Sequence, residues 1–298
     1  MNPISTQTEN DVPASIQLLI IDPQNDFCDL PAAWQPADPI GGALLAPSLP
    51  VQGAHADMLR VADIVRAGRD ALSAITVTLD THHRVDIAHP AFWRRQDGQP
   101  VTPFTAITAA DLRAGRYQPR DPAALPRAQA YVGALEARGR YTLMVWPVHC
   151  QVGSWGHNVH AAVQAACSAW EEARLQPVEY VNKGINPWTE HYSALQAEVP
   201  DEADAGTQLN RALLARLDGA GTLLVAGEAS SHCVRATVED LIGNLPGGHP
   251  ERVVLLSDCM SPVGGFEDQA RAFLADMQSL GVKLASSADV LAQLRGAA

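Results

Sequence analysis

One cysteine stands where a nucleophile is expected. Cys233 follows a turn of mostly small residues, 227–232, and begins a predicted helix. A thiol at a helix N-terminus faces the positive end of the helix dipole, which lowers the pKa of the thiol and makes the thiolate accessible. The free N–H groups at the same place are suited to binding an oxyanion. A buried, inert cysteine is the competing interpretation, and position alone does not separate the two.

A nucleophilic thiol needs a proton acceptor, and two charged residues are placed to serve it. Asp22 ends the apolar run 16–21, and Lys183 lies just beyond the run 178–181. Because the carboxyl ends of parallel strands meet at one edge of a sheet, both side chains are able to converge on Cys233. Asp22 is then the candidate base, and Lys183 the cation that keeps Asp22 ionised and stabilises the thiolate. Considered one at a time, Asp22 is more simply explained as a loop carboxylate and Lys183 as a surface lysine.

A second group of residues has the types and spacing of metal ligands. Asp80 and His82 are separated by one residue just after a predicted strand, and His149 ends the segment Trp146-Pro-Val-His149. Two imidazoles and a carboxylate suit zinc, iron or manganese and leave coordination positions open for water or substrate. A strand-end turn with solvated histidines is the simpler interpretation of a single Asp-x-His.

These residues lie at the ends of elements that alternate along the chain. Short apolar runs predict strands at 16–21, 74–79, 178–181, 222–226, 252–256 and 282–285. Helical spacing of apolar residues predicts helices at 57–72, 109–114, 126–138, 159–173, 209–217, 233–242, 267–280 and 288–294. Alternating strands and helices form right-handed βαβ units. The sequence therefore predicts a three-layer α/β/α fold around a mostly parallel sheet of about six strands.

Length and composition indicate a globular protein with a large core. The chain has 298 residues, of which 47% are hydrophobic and 18% charged. Residues 14–298 are predicted to form a single domain, because no linker separates two cores. Loop insertions are expected near 30–56, 94–143 and 185–206, and residues 1–13 are expected to be a flexible N-terminal tail.

Charge and cysteine usage restrict the partners and the compartment. With 21 basic and 33 acidic residues the net charge is −12, which argues against nucleic-acid binding. No apolar run approaches the length of a membrane span, and residues 1–13 lack the features of a signal peptide. Five cysteines without a Cys-x-x-Cys pair favour a reducing cytoplasm over a disulfide scaffold.

Together the motifs resemble those of the isochorismatase-like cysteine hydrolases, and most of all those of nicotinamidases. Four blocks carry the resemblance: 18–27, 78–89, 146–156 with 181–184, and 225–240. It implies an isochorismatase-like fold and the hydrolysis of nicotinamide to nicotinate and ammonia through a cysteine thioester, as in NAD salvage. It places Asp22, Lys183 and Cys233 at the family's catalytic positions, and it implies a homo-oligomer.

The resemblance also implies a metal site. Asp80, His82 and His149 match the positions at which nicotinamidases bind a divalent metal, with zinc expected first and iron or manganese as alternatives. His89 matches an additional histidine ligand of some members, with its spacing shifted by one residue.

Two further features are implied around the nucleophile. A cis peptide between Glu228 and Ala229 is expected, and the N–H groups of Ala229 and Cys233 are expected to form the oxyanion hole. Phe27 and Trp146 fall where nicotinamidases flank the substrate ring, although ordinary core residues are the simpler interpretation of both.

The sequence departs from the family pattern in the turn before the nucleophile. Glu228, Ser230 and Ser231 stand in place of the usual small apolar residue, threonine and aspartate. The three insertions look longer than in compact nicotinamidases. Another amide or a ureido acid therefore stays open as the substrate, and so does a non-catalytic binding protein on the same fold.

Overall fold

A six-stranded sheet in which all neighbouring strands are parallel forms the centre of the molecule. The structure is a computed structural model that describes residues 15–296, so the predicted tail, 1–13, lies outside the described residues. The strands of this range are β1 (Ile16–Ile21), β2 (Leu72–Asp80), β3 (Trp93–Arg95), β4 (Thr105–Ile107), β5 (Tyr117–Pro119), β6 (Leu143–Val145), β7 (Glu179–Lys183), β8 (Thr222–Gly227), β9 (Val253–Leu256) and β10 (Lys283–Ala285).

Helices cover this sheet, with α1 packed against α4 and α8, and α6 packed against α7. The helices of the described range are α1 (Ala54–Ala67), α2 (Ala109–Arg113), α3 (Leu125–Arg138), α4 (Ala161–Arg174), α5 (Arg211–Asp218), α6 (Cys233–Asn244), α7 (Glu267–Ser279) and α8 (Ser287–Gly296). None of them within 15–296 has both the length and the apolar character needed to cross a membrane. The predicted α/β class with about six mostly parallel strands is confirmed.

The strand order is β10-β9-β8-β1-β2-β7, which places β1 at the point where the chain changes direction across the sheet. Ligands of open α/β sheets bind beyond the carboxyl ends of the strands at such a point. The register aligns these ends, because Ile21 is opposite Gly227, and Asp80 is opposite Lys183. Gly227 has φ +126°, and a Cβ there would lie 2.0 Å from the Ile21 carbonyl oxygen, so only glycine lets β8 end against β1.

Residues 87–145 build a second, smaller hydrophobic cluster beside the main core. The cluster region contains two antiparallel pairs, β3 with β5 and β4 with β6, and Trp93 at the start of β3 is fully buried. Helices α2 and α3 were predicted there, but these strands were not, because three-residue strands among prolines leave no periodicity. That both clusters belong to one domain stays a prediction.

Candidate active site

Three strand ends bring Asp22, Lys183 and Cys233 into contact. Asp22 follows β1, Lys183 ends β7, and Cys233 begins α6 after the turn that follows β8. Lys183 Nζ lies 2.9 Å from Asp22 Oδ2 and 3.5 Å from Cys233 Sγ, so the ammonium joins the carboxylate to the thiol. All three side chains are buried. The structure thus joins the three residues that the sequence placed at one edge of the sheet.

The buried ammonium of Lys183 is fully paired. Besides Asp22 it contacts Asp80 Oδ1 at 2.9 Å and donates to the carbonyl of His191 at 3.0 Å. Removing an ammonium from water costs several kcal/mol unless charges and hydrogen bonds replace the water. Although burial opposes the charge, Asp22 and Asp80 hold the pKa of Lys183 well above its usual value. Lys183 is therefore a fixed cation beside the sulfur.

Asp22 is prepared to act as a base. The hydroxyl of Thr78 donates to Asp22 Oδ1 at 2.6 Å, which orients the carboxylate. Burial raises the pKa of Asp22, and Lys183 opposes that rise. A carboxylate with a raised pKa accepts a proton more readily than an exposed aspartate.

The Cys233 thiol does not have the lowered pKa that its place at a helix N-terminus predicted. Burial of the sulfur raises its pKa well above the ordinary value, and the nearby Lys183 ammonium only opposes the rise. The prediction was wrong because desolvation of the thiolate outweighs the favourable charges around it. A nucleophilic role for this thiol would therefore require a base that accepts its proton.

The turn before Cys233 presents two N–H groups without protein acceptors. The peptide between Glu228 and Ala229 is cis, as the resemblance implied. Among the hydrogen bonds of residues 15–296, neither the Ala229 N–H nor the Cys233 N–H donates to a protein atom. Both residues line the same cavity. Two unpaired donors beside a nucleophile suit an oxyanion.

The predicted metal ligands form a cluster beside this group. His82, His89 and His149 present ring nitrogens within 4.8 Å of one another. Asp80 Oδ2 lies 3.0 Å from His82 Nε2 and 3.3 Å from His149 Nε2. Those separations are close to the distance of about 3.4 Å between ligands that each lie about 2.1 Å from one tetrahedral metal.

Each imidazole of this cluster is oriented through its Nδ1. The acceptors are Asp86 Oδ2 for His82 at 3.1 Å, the His83 carbonyl for His89 at 3.0 Å, and the Pro147 carbonyl for His149 at 2.9 Å. Because these oxygens only accept, each Nδ1 carries a proton, and Nε2 is the nitrogen left for a metal. At His82 burial opposes the charge, but Asp80 and Asp86 raise the pKa well above its usual value, so a metal bound there would displace a proton from Nε2. Burial lowers the pKa of His89 to about 2, which keeps that ring neutral. The donor set therefore fits a divalent metal.

Asp80 connects the two groups. Its Oδ1 contacts the Lys183 ammonium and its Oδ2 faces His82 and His149. Burial disfavours the charge, but His82 and Lys183 hold the pKa of Asp80 well below its usual value. Asp80 is thus ionised, as a metal ligand must be.

A cavity of about 370 Å³ separates the nucleophile from the imidazoles. Seven of the residues around it were singled out from the sequence: Phe27, Asp80, His82, Trp146, His149, Ala229 and Cys233. Phe27 packs edge-on against His149, with the ring centroids 5.4 Å apart.

Solved structures share this architecture along almost their whole length. A nicotinamidase–pyrazinamidase of Acinetobacter baumanii superposes with a TM-score of 0.57 at 19% identity and covers 94% of this chain and 100% of its own. A pyrazinamidase of Pyrococcus horikoshii in complex with zinc gives 0.50 at 18%, covering 91% and 100%. An isochorismatase-like hydrolase of Alkaliphilus metalliredigens gives 0.50 at 16%, covering 94% and 99%. The chain has the isochorismatase-like fold.

The likeness is one of fold rather than of close sequence. No protein-family model matches the chain, and no curated protein matches it by sequence. The isochorismatase-like fold explains why the strand-end residues meet. Because one fold hosts many functions, the function has to be inferred from the side chains of the site.

Six residues that line the cavity of this isochorismatase-like fold were not predicted as site residues: Leu49, Glu190, His191, Tyr192, His232 and Val263. Glu190 and Tyr192 accept hydrogen bonds from the Trp146 indole N–H, at 3.2 and 3.0 Å. Residues 190–192 lie in a stretch without regular periodicity, so only their polar, aromatic composition was a signal. His232 was discounted because it adjoins Cys233, although its ring packs 5.1 Å from that of Trp146.

Proposed function

We propose that this protein is a cysteine amidohydrolase that converts a small carboxamide to a carboxylate and ammonia, with nicotinamide as the first candidate. The observation that carries the proposal is the contact of Lys183 with Asp22, Asp80 and Cys233, the last two of which line one cavity. The fold supports it, because solved nicotinamidases share that fold.

In the first half-reaction Asp22 accepts the proton of the Cys233 thiol as the sulfur attacks the amide carbon. The N–H groups of Ala229 and Cys233 hold the oxyanion that forms on the carbonyl oxygen. Asp22 then gives the proton to the departing nitrogen, because an amide nitrogen leaves only when it is protonated. Ammonia departs, and the acyl group stays on the sulfur as a thioester.

In the second half-reaction a water molecule opens the thioester. Asp22 accepts a proton from the water as its oxygen attacks the acyl carbon, and the carbon–sulfur bond breaks to release the acid. The proton returns to the Cys233 sulfur. Throughout, Lys183 balances the negative charge that moves between Asp22 and the thiolate, which is why a permanently charged side chain is needed there.

Asp80, His82 and His149, with His89 as a further ligand, are the residues that would hold a divalent metal. Zinc is the first choice because the Pyrococcus pyrazinamidase structure is a complex with zinc, and iron or manganese also suit these ligands. When bound, the metal supplies a Lewis-acidic point that orients the substrate, for example through a pyridine nitrogen. Phe27 and Trp146 are proposed to flank the substrate ring.

The direct test is ammonia release from a panel of amides that contains nicotinamide, pyrazinamide, maleamate and ureido acids. The wild type should release ammonia from at least one, with nicotinamide favoured, and Cys233→Ala should lose about 10⁴-fold in kcat/KM or more. Cys167→Ala is the matched control, because Cys167 is also a buried cysteine but lies on α4 away from the cavity.

Equal activity of wild type and Cys233→Ala would rule out the covalent mechanism. Activity confined to maleamate or a ureido acid would keep the mechanism and replace nicotinamide as substrate. No ammonia from any amide would favour a binding protein on the same fold. Cytoplasmic location stays a prediction from cysteine usage, and a homo-oligomer and a part in NAD salvage stay predictions from the sequence resemblance.

A further inference from the structure

A fully buried carboxyl group lies on the nucleophile turn and takes no part in the mechanism above. Glu228 is 0% exposed and sits between Gly227 and Ala229, the residue whose N–H is proposed to bind the oxyanion. Its own N–H donates to the Ile21 carbonyl at 2.8 Å, which ties the start of the turn to the end of β1. A carboxyl group in such a place needs partners that outweigh its loss of water.

Glu228 is linked to Asp57 through one residue of another segment, Ser261. Glu228 Oε2 accepts the Ser261 N–H at 3.1 Å, whereas Glu228 Oε1 is buried without a hydrogen-bond partner among the described residues. The Ser261 hydroxyl donates to Asp57 Oδ2 at 2.6 Å, so one serine contacts both acids. Two buried carboxylates held by one serine repel each other, so this arrangement favours a proton on one of the two acids.

The surrounding charges favour a proton on this pair. Arg60 is the cation in contact with Asp57, at 3.0 Å, while the carboxylates of Asp29 and Asp258 add negative charge. The thiols of Cys28 and Cys259 also face this acidic group, and both have raised pKa values. Burial, and then Asp57, raise the pKa of Glu228 well above its usual value. These surroundings favour the protonated form of Glu228 next to Asp57.

Residues 261–263 also hold the rest of the turn. The Ser230 N–H donates to the Ser261 carbonyl at 2.9 Å, and the Val263 N–H donates to the Ser231 hydroxyl at 3.1 Å. Glu228, Ser230 and Ser231 are the three positions at which the sequence departs from the family it resembles. All three are bonded to residues 261–263, which gives these departures a common physical role.

We propose that Glu228 is a positioning residue of the nucleophile turn, and that it acts through a single proton shared with Asp57. The role rests on the proposed amidohydrolase function, because what the pair positions is the Ala229 N–H relative to Cys233. Loss of that proton places two adjacent carboxylates in a buried site, where they repel each other and displace the turn. Displacement weakens binding of the oxyanion, which forms only during reaction, so kcat falls while KM changes little.

The sign of the pH dependence follows from the raised pKa of Glu228. The folded protein binds this proton more tightly than the unfolded chain does. The stability and activity that depend on the pair are therefore greatest while Glu228 is protonated, and they are lost as pH rises toward the pKa of the folded state.

Three variants test the role. Glu228→Gln keeps an acceptor for Ser261 but does not ionise, whereas Glu228→Ala removes that acceptor. Asp63→Asn is the control on α1, the helix that carries Asp57, because the Asp63 side chain is 62% exposed. We expect Glu228→Gln to keep kcat within about threefold at neutral pH and to hold it to higher pH than the wild type. Glu228→Ala should lose about tenfold in kcat with KM nearly unchanged.

Infrared difference spectroscopy of the full chain tests the proton without using activity. The difference between wild type and Glu228→Gln at neutral pH should contain the C=O stretch of one protonated carboxyl group. A spectrum with ionised carboxylate bands only would overturn the proposal, and so would wild-type kcat in Glu228→Ala. If Glu228→Ala does not fold, the infrared spectrum and the pH profile of Glu228→Gln decide.

Failure of the amidohydrolase function gives a different result. The protonated band would then be present while no amide releases ammonia. In that case the rate of Cys233 alkylation reports on the turn: equal rates in wild type and Glu228→Gln with a changed rate in Glu228→Ala would support positioning. An unchanged rate in Glu228→Ala would overturn it.

Discussion

Two sides of the same cavity differ in their electrostatics. The nucleophile wall consists of Cys233, which lines the cavity, with Asp22 and Lys183 buried behind it, and the chain itself pairs the Lys183 cation. The imidazole wall consists of His82, His89 and His149 and is flanked by the carboxylates of Asp80 and Asp86, which raise the pKa of His82 and favour a cation at this place. In the proposed function the first wall does the covalent chemistry, and the second holds a metal that places the substrate.

The walls also differ in the elements that support them. The nucleophile wall rests on β1, β7 and the turn after β8, all fixed by the register of the central sheet. In the imidazole wall, His89 lies between Ile87 and Phe92, two residues of the second hydrophobic cluster, and His149 follows β6, which pairs with β4 inside that cluster. The positions of these two histidines therefore depend on the packing of residues 87–145.

The largest effect is expected from the nucleophile wall. Lys183→Met should lower kcat by about 10³-fold, because it removes the cation that balances Asp22 and the thiolate. Bound metal, measured by elemental analysis, should stay close to the wild-type level, since the imidazoles are untouched.

The other lysine of the chain provides the control. Lys283 is exposed on β10, and Lys283→Met should behave as wild type. Retention of full activity by Lys183→Met would contradict the division of roles between the walls.

A smaller effect is expected from the imidazole wall. His82→Ala, or removal of the metal by a chelator, should reduce activity by about 10–100-fold and abolish metal binding. The rate of Cys233 alkylation should stay near that of wild type, because Lys183 and Asp22 remain paired. Zinc, iron and manganese added to the chelated wild type would show which ion restores activity.

His249→Ala is the control for the loss of an imidazole. His249 also contacts a carboxylate, Glu251, at 2.9 Å, but its side chain is 59% exposed. Loss of Cys233 alkylation in His82→Ala would mean that the two walls act as one unit.

The smallest effect is expected at Trp146, which lies between the walls. Trp146→Phe keeps an aromatic ring but removes the N–H that Glu190 and Tyr192 accept. We expect KM to rise about fivefold with kcat nearly unchanged, because two buried acceptors lose a donor beside the substrate.

Trp93→Phe is the control that separates an effect on substrate binding from an effect on stability. Trp93 is fully buried and its indole N–H donates to the Ile87 carbonyl at 2.6 Å, but it does not line the cavity. It should lower Tm to a similar extent as Trp146→Phe without changing KM. The same rise in KM in both variants would contradict a specific role of Trp146 in substrate binding.

The sequence by itself determined the sheet and the residues at its strand ends. Apolar runs such as 16–21 and 222–226 are local patterns, because strands covered by helices on both faces need apolar side chains throughout. The rule that chemistry lies beyond the carboxyl ends of parallel strands then selected Asp22, Lys183 and Cys233. Spacing added Asp80 and His82.

Only the tertiary structure decided what depends on residues far apart in the chain. The link from Glu228 to Asp57 through Ser261 and the placement of Glu190 in the cavity leave no periodic signal, because they join segments that meet only after folding. The direction in which the Cys233 pKa shifts also depends on the tertiary structure. Desolvation reflects the whole packed surroundings of an atom rather than the helix on which it lies.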